Sequence, residues 1–144
     1  MFVTRRLVLT LVFLLNTVWW SGSVAARCLH YGDVTLTGRL VQQTYAGPPD
    51  FESVTEGDQP LVIWILQLDT GICIVTADAS HPNTYNEREI QLVFGKDQYA
   101  RSRPYAEYRH LLGKKIAVTG RLLPGGGKYE KSFVIASPAI KELF

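Results

Sequence analysis

Two stretches of the chain alternate apolar and polar residues and then end in the same four letters. Residues 33–41 and 115–123 both run into Thr-Gly-Arg-Leu, with the glycines at Gly38 and Gly120. Alternation with a period of two is typical of a half-buried strand. A glycine inside such a strand marks a bulge or a sharp bend, as where a strand wraps round a small barrel. The pattern predicts two long, curved strands near the two ends of one domain.

A continuous apolar run stands between these two repeats. Residues 61–68 (LVIWILQL) are rich in branched apolar side chains, which predicts a strand that is buried on both faces or bent through the core. Asp-Thr-Gly at 69–71 has turn composition. We therefore expect the chain to reverse there and residues 72–75 to return as a tight hairpin.

The second half of the chain predicts one helix among further strands. Residues 89–94 alternate as a strand, whereas 97–112 place their large apolar residues on one helical stripe that ends at Gly113. Residues 132–136 are expected to form a closing strand. The tail at 138–144 fits a short extra strand or a helical turn.

This order of elements predicts a mostly β fold. The order is three strands, a helix and two strands, with one extra strand before the helix as an option. This is the order of an OB-fold, a small five-stranded barrel with one helix between strands 3 and 4. Another small β barrel or sandwich is the alternative. The long polar segments 43–60 and 77–88 are expected to be loops that carry function on this scaffold.

The first 26 residues have the pattern of a signal peptide. Arg5 and Arg6 precede an apolar stretch that ends at Trp20, and small residues follow up to Ala26. We expect residues 1–26 to be removed and residues 27–144 to form a single periplasmic or secreted domain. An uncleaved anchor and a lipoprotein acylated at Cys28 are the alternatives. No apolar run of the chain reaches the roughly 18 residues of a typical spanning helix, so the mature chain is expected to hold no membrane span.

Charge gives little support for nucleic-acid binding. Lys and Arg total 15 and Asp and Glu total 13, but two of the bases and none of the acids lie in residues 1–26. The exported part is therefore neutral, although a basic patch is what a nucleic-acid partner requires. A single-stranded nucleic-acid-binding OB domain remains one alternative. It would use Arg88, Lys96, Arg101, Arg103 and Arg109.

Two cysteines in an exported domain suggest one disulfide, Cys28 to Cys73. The loop that this bridge would close corresponds to roughly 4 kcal/mol in the chain-entropy treatment. The alternative is that both thiols are free and buried.

The sequence contains no catalytic or metal-binding constellation that we recognise. His30, His81 and His110 lack the spacing of metal ligands, and no cofactor motif is present. A small periplasmic hydrolase that uses the loop carboxylates Asp50 and Glu52 is retained as an alternative to a non-enzyme.

Aromatic residues in the predicted loops give the strongest functional indication. Tyrosine offers a broad apolar face and a polar tip, which suits a sugar or a protein interface. The chain is therefore expected to be a non-catalytic binding module for an envelope protein, a glycan or a peptide. The candidate binding residues are Tyr45, Phe51, Tyr85, Lys128 and Tyr129.

Four segments resemble the bacterial domain-of-unknown-function family 4431. They are residues 28–40, 64–74, 89–94 and 108–123, and LLGKKIAVTG within the last is the most specific. The resemblance implies an exported, single-domain protein and no particular activity. The hairpin after the second repeat reads PGGGKYEKS here and lacks the histidines found in the family pattern, so a role that rests on those histidines is not carried over.

Overall fold

The computed structural model describes residues 28–77, 80–96, 100–126 and 131–144. It confirms the mostly β fold with five strands. In these residues one α-helix lies between the third and fourth strands. Short 3₁₀ turns occupy Val54–Glu56 and Arg109–Leu111. The main elements are β1 Gly32–Ala46, β2 Pro60–Ile74, β3 Thr84–Val93, α1 Arg103–Tyr108, β4 Lys115–Pro124 and β5 Phe133–Glu142.

The five strands pair into a closed ring. The order is β1, β2, β3, β5, β4, and the antiparallel pairing of β1 with β4 closes it. All other neighbours are antiparallel except β3 and β5, which run parallel. The predicted signal peptide at 1–26 lies outside the described residues.

The two glycine-containing repeats lie side by side in this ring. Gly38 pairs with Leu68 on one side and with Ile116 on the other, so β1 passes here from its β2 neighbour to its β4 neighbour. A Cβ at Gly38 would collide with the carbonyl oxygen of Gln67. Only glycine allows the two backbones to approach so closely. The glycine of the first repeat is therefore needed where β1 pairs with β2 and β4 at once.

The interior of the ring is filled by one apolar cluster. Every strand contributes fully buried side chains, such as Leu40, Trp64 and Ile90. Tyr105 and Leu111 join the cluster from α1 and the turn that follows it, as the helical stripe predicts. Burial of this surface is the main stabilising contribution, at about 25 cal/mol per Å² of apolar area.

The predicted hairpin at 69–71 is wrong, because β2 runs through these residues without reversing. Gln67 pairs with Glu89 of β3, and the next pair is Ile72 with Glu87. Five steps along β2 therefore match two steps along β3. The extra residues form a bulge in β2, and a bulge uses the same glycine and polar residues as a turn.

Three other predicted boundaries are also displaced. The segment 77–88 is a loop only in part, because β3 already begins at Thr84. The helix is shorter than predicted: α1 covers six residues, a 3₁₀ turn follows it, and residues 97–99 are not described. The tail continues β5 to Glu142 after a kink at Ser137, which has a φ of 50°.

The predicted disulfide between Cys28 and Cys73 is confirmed. The S–S distance is 2.09 Å and the two Cα atoms are 4.5 Å apart. Next to it, Leu29 forms a parallel bridge with Ile74, through a 2.7 Å hydrogen bond from the Leu29 N–H to the Cys73 carbonyl. The start of the described chain is thus tied to the far end of β2.

Candidate functional site: the outer face of strands β1 to β3

The predicted aromatic residues do not form one cluster. Tyr45 ends β1 and is half-buried, whereas Phe51 lies in the following loop with 42% of its surface exposed. Tyr85 is 73% exposed and lies on β3 rather than in a loop. Tyr45 pairs with Leu61 near the start of β2, and the residue before Tyr85 pairs with Ile74 at the end of β2. The two tyrosines therefore flank opposite ends of β2, roughly 40 Å apart along the strand. Lys128 and Tyr129 lie outside the described residues.

The acidic loop between β1 and β2 is organised by one carboxylate. Asp58 accepts backbone N–H bonds from Asp50 at 2.9 Å, Glu52 at 2.7 Å and Ser53 at 2.8 Å. The bond from Asp50 is the largest of the effects that hold the pKa of Asp58 below its usual value. Both oxygens of Asp58 therefore serve the loop's own backbone.

β2 is buried on both faces, as its continuous apolar run predicts. Trp64 and Leu66 point into the core, so Ile63 and Ile65 point outward, yet neither exposes any of its surface. The buried Leu61 and Val134 also lie outside the main core cluster. The outer side of the β1–β2–β3 sheet thus carries a second apolar layer.

A polar network borders this second layer. Gln91 is fully buried between Ile65 of β2 and Val134 of β5, and its side-chain oxygen accepts the Lys131 N–H at 3.2 Å. The Lys131 ammonium lies 2.7 Å from a carboxylate oxygen of Glu89. Lys131, just before β5, is thereby held against the outer face of β3.

Lys131 also links this network to Tyr45. Burial lowers the pKa of Lys131, but the hydrogen bonds and charges of Glu89 and Tyr45 outweigh burial and the pKa is raised. The Tyr45 hydroxyl in turn donates to Gln43 at 2.7 Å. Lys131 was missed by sequence reasoning, because only the strand register brings it next to residues of β1 and β3.

A groove of about 530 Å³ continues along the same outer face, and we call it the outer groove. Three polar residues lie side by side on neighbouring strands: Arg39 on β1, Gln67 on β2 and Glu89 on β3. On each strand, this residue is two positions away from the buried row that contains Ile65. The groove adjoins the β2 bulge, a feature that often lies next to functional sites. Its lining residues are Arg39, Gln67, Leu68, Asp69, Asn86, Glu87, Arg88 and Glu89.

The acids of the outer groove are engaged within the protein. Asp69 is 2.5 Å from the Lys115 ammonium, and this hydrogen bond is the main cause that lowers the pKa of Asp69. Glu89 is paired with Lys131. Glu87 accepts the backbone N–H groups of Arg88 at 3.0 Å and of Glu89 at 3.1 Å.

The two arginines of the outer groove are held by carbonyl groups. Arg39 donates to the carbonyl of Gly113, and Arg88 donates to the backbone carbonyl of Asp69 at 3.4 Å. In the part of the chain that the structure describes, neither guanidinium forms an ion pair with a carboxylate. Each retains donors for a ligand, and guanidinium geometry suits a carboxylate.

The basic residues of the nucleic-acid alternative are spread over different surfaces. Arg88 lines the outer groove, whereas Lys96 and Arg101 line a separate groove beside α1. Arg103 is 2.9 Å from Glu107 one helical turn away. Arg109 lines a smaller cavity together with Arg101, so only Arg88 lies apart from the basic residues beside α1.

The family models that we compared with the chain give no match, and the curated proteins give none either. Among the residues described above, no helix is long and apolar enough to cross a membrane. In the same residues, no group of three or more His, Cys, Asp or Glu side chains is arranged to hold a metal ion.

Proposed function

We propose that this chain is a non-catalytic, exported OB-like barrel that binds an extended peptide segment of an envelope protein in the outer groove. The observation that carries the proposal is the position of this groove. It lies on the outer face of β2 and β3, beside the β2 bulge, and it holds two exposed arginines that form no ion pair with a described carboxylate, although the charge of Arg39 does act on Asp69.

The strand order supports the OB-like assignment. A ring in the order β1, β2, β3, β5, β4, with a helix between β3 and β4, matches the five-stranded Greek-key barrel of that fold. OB-folds bind their ligands on the strand 2–3 face and through the loops that follow strands 1 and 4. The outer groove and Lys131 of the β4–β5 connection lie in these places.

The chemistry of the outer groove favours a peptide over a glycan. Sugars and nucleic-acid bases commonly stack on aromatic rings, and none of the described residues that line this groove is aromatic. Charges of both signs and two amides line it instead. Such a surface complements a polypeptide, whose backbone and charged side chains supply both donors and acceptors.

The fixed roles of the acids support a binding function over hydrolysis. Asp58 is occupied by three backbone N–H groups, and Asp69 and Glu89 are each paired with a lysine. A general acid or base must instead be free to exchange a proton with a substrate. The hydrolase alternative then depends on Asp50 and Glu52, which are exposed.

Export, the signal peptide and the kinship with family 4431 are parts of the same proposal. A disulfide is compatible with an oxidising compartment outside the cytosol. The bridge also uses the Cys28 sulfur that the lipoprotein alternative requires. This favours a form that is not acylated at Cys28.

The test is peptide selection followed by measured affinity. Peptides selected from a random library on the purified protein are synthesised, labelled and titrated by fluorescence anisotropy. We expect saturable binding that weakens about tenfold in Arg39→Gln/Arg88→Gln, since two charge-assisted contacts are lost. The matched control is Arg121→Gln/Lys141→Gln, which removes two exposed charges from β4 and β5. Equal affinity in both double variants, or saturable binding of glycans alone, contradicts the proposal.

A further inference from the structure

A cleft opens in the barrel wall where β1 and β2 part. The pairing of these two strands ends at Gly38 and Leu68, and the preceding part of β1 pairs with β4. Leu29 joins the chain to β2 again through its bridge with Ile74, beside the disulfide. The parts of β1 and β2 between these two junctions line a cavity of about 380 Å³, which we call the β1–β2 cleft.

Both faces of the barrel wall contribute to the β1–β2 cleft. Successive residues of a strand point to opposite faces, so the exposed Thr35 and Thr37 belong to the outer face and the half-buried Leu36 to the inner one. On the β2 side, Thr70 is exposed, whereas Ile72 is half-buried and packs, like Leu36, against the core cluster. The cleft therefore leads from a rim of hydroxyl groups to an apolar floor at the edge of the core.

The β1–β2 cleft adjoins the outer groove, because Leu68 and Asp69 line both. Leu68 is 5% exposed, and the carboxylate of Asp69 lies 2.5 Å from the Lys115 ammonium. The charge at this junction is thus compensated within the protein, which lowers the cost of placing an apolar group beside it.

We infer that the β1–β2 cleft binds one apolar side chain, of about leucine size, of an extended polypeptide. The inference rests on the proposed function and deepens it, since the same peptide continues along the outer groove. The volume of the cleft stands at the low end of ligand pockets, which span roughly 300–1,000 Å³, and it suits one side chain with its adjoining peptide groups.

The rim and the frame of the β1–β2 cleft suit such a ligand. The hydroxyls of Thr37 and Thr70 can each donate and accept a hydrogen bond, as the peptide groups on either side of the bound side chain require. β1 and β2 are joined on both sides of the cleft, so little of its shape has to be ordered when a ligand binds.

Capped amino acids test the inference without a peptide. N-acetyl-leucine N-methylamide carries an apolar side chain between two peptide groups, and N-acetyl-serine N-methylamide has the same peptide groups with a small polar side chain. In ¹H–¹⁵N correlation spectra of the labelled protein, we expect saturable shifts from the leucine compound at residues 35–37 and 69–72. The serine compound should bind at least about tenfold more weakly, because it buries little apolar surface. Equal affinities, or no saturable shifts at these residues, refute the inference.

A variant with a filled cleft locates the site. Thr37→Tyr places a large side chain at the rim, whereas Thr44→Tyr makes the same change at an exposed position of β1 that pairs with Val62, beyond the cleft. The first should weaken binding of the leucine compound at least about tenfold, and the second should leave it unchanged. Circular dichroism checks folding, and Thr70→Tyr replaces the rim variant if Thr37→Tyr is not folded. Unchanged binding in the folded rim variant, or equal loss in Thr44→Tyr, contradicts the inference.

The outer-groove variant separates this inference from the proposed function. Arg39→Gln/Arg88→Gln should keep full affinity for the leucine compound while it loses affinity for the selected peptides. In those peptides, replacing one apolar residue with serine should weaken binding to the wild type about tenfold and to Thr37→Tyr little. Peptides that bind without such a residue overturn the inference and leave the proposed function standing. Binding of the leucine compound without any peptide binding supports the cleft and contradicts the proposed function.

Discussion

The hydroxyl of Tyr105 offers a sharp test of how the helix is joined to the barrel. Tyr105 is 1% exposed, and its hydroxyl donates to the Leu92 carbonyl at 3.1 Å and accepts the Phe94 N–H at 3.3 Å. Its ring meets Trp64 edge-on at 5.1 Å and Phe94 at 4.8 Å. Tyr105→Phe keeps the ring and these contacts but removes the two hydrogen bonds at the end of β3.

The expected loss follows from the burial of the two backbone groups. A typical hydrogen bond contributes about 1 kcal/mol net, and a buried group left without a partner costs about 1–3 kcal/mol. We therefore expect Tyr105→Phe to lower the free energy of unfolding by about 2–3 kcal/mol. For a domain of this size that corresponds to a fall in Tm of roughly 6–12 °C.

Urea unfolding followed by tryptophan fluorescence measures this loss, because Trp64 lies in the same cluster. Tyr108→Phe is the matched control. Its ring stacks on Phe94 at 5.7 Å, but its hydroxyl forms no hydrogen bond within the described residues. The control should change stability by less than about 0.5 kcal/mol. If both variants lose the same stability, the Tyr105 hydroxyl does not join the helix to β3.

Three further predictions concern stability. Replacing Cys28 and Cys73 with Ser should lower the free energy of unfolding by about 4 kcal/mol, and a stability equal to wild type in urea would contradict this. Gly38→Ala should cost about 1–3 kcal/mol by collision with the backbone of β2, whereas Gly126→Ala, whose Cβ would meet no described atom within 4 Å, should be tolerated in the same thermal melt. Because the pKa of Asp58 is lowered in the folded protein, the stabilising contribution of its carboxylate to folding should be complete above its unfolded pKa of about 3.9. It should be lost as pH falls through the folded value, and Asp58→Asn should flatten that acid limb of the stability curve.

Much of the fold can be predicted from local pattern. Period-two alternation locates β1 and β4, and the continuous apolar run of β2 predicts burial on both faces. The error at 69–71 has a physical cause, because glycine next to polar residues serves a turn and a bulge equally well. Which one forms depends on whether β3 pairs with β2 beyond Gln67, and this information lies about 20 residues away in the sequence.

The candidate site is harder to predict, since its residues come from three strands. Arg39, Gln67 and Glu89 become neighbours only through the β1–β2 and β2–β3 registers. A weak signal does exist in the spacing of these three polar residues. Each lies two positions along its strand from the outer row that contains Ile65 and Gln91. The loop aromatics gave a stronger signal, but Tyr85 belongs to a strand and lies at the other end of β2 from Tyr45.

Closure of the ring and formation of the outer groove have a common origin. β1 leaves β2 at the pair Gly38 and Leu68 in order to pair with β4, so the following part of β2 loses its β1 partner. β2 then bulges before it resumes pairing with β3 at Ile72, and the outer groove lies at this divergence. The groove therefore follows from backbone geometry that the fold requires. Its charged residues Arg39 and Arg88 are exposed and are not needed for that geometry, so their replacement should alter binding while the barrel remains stable.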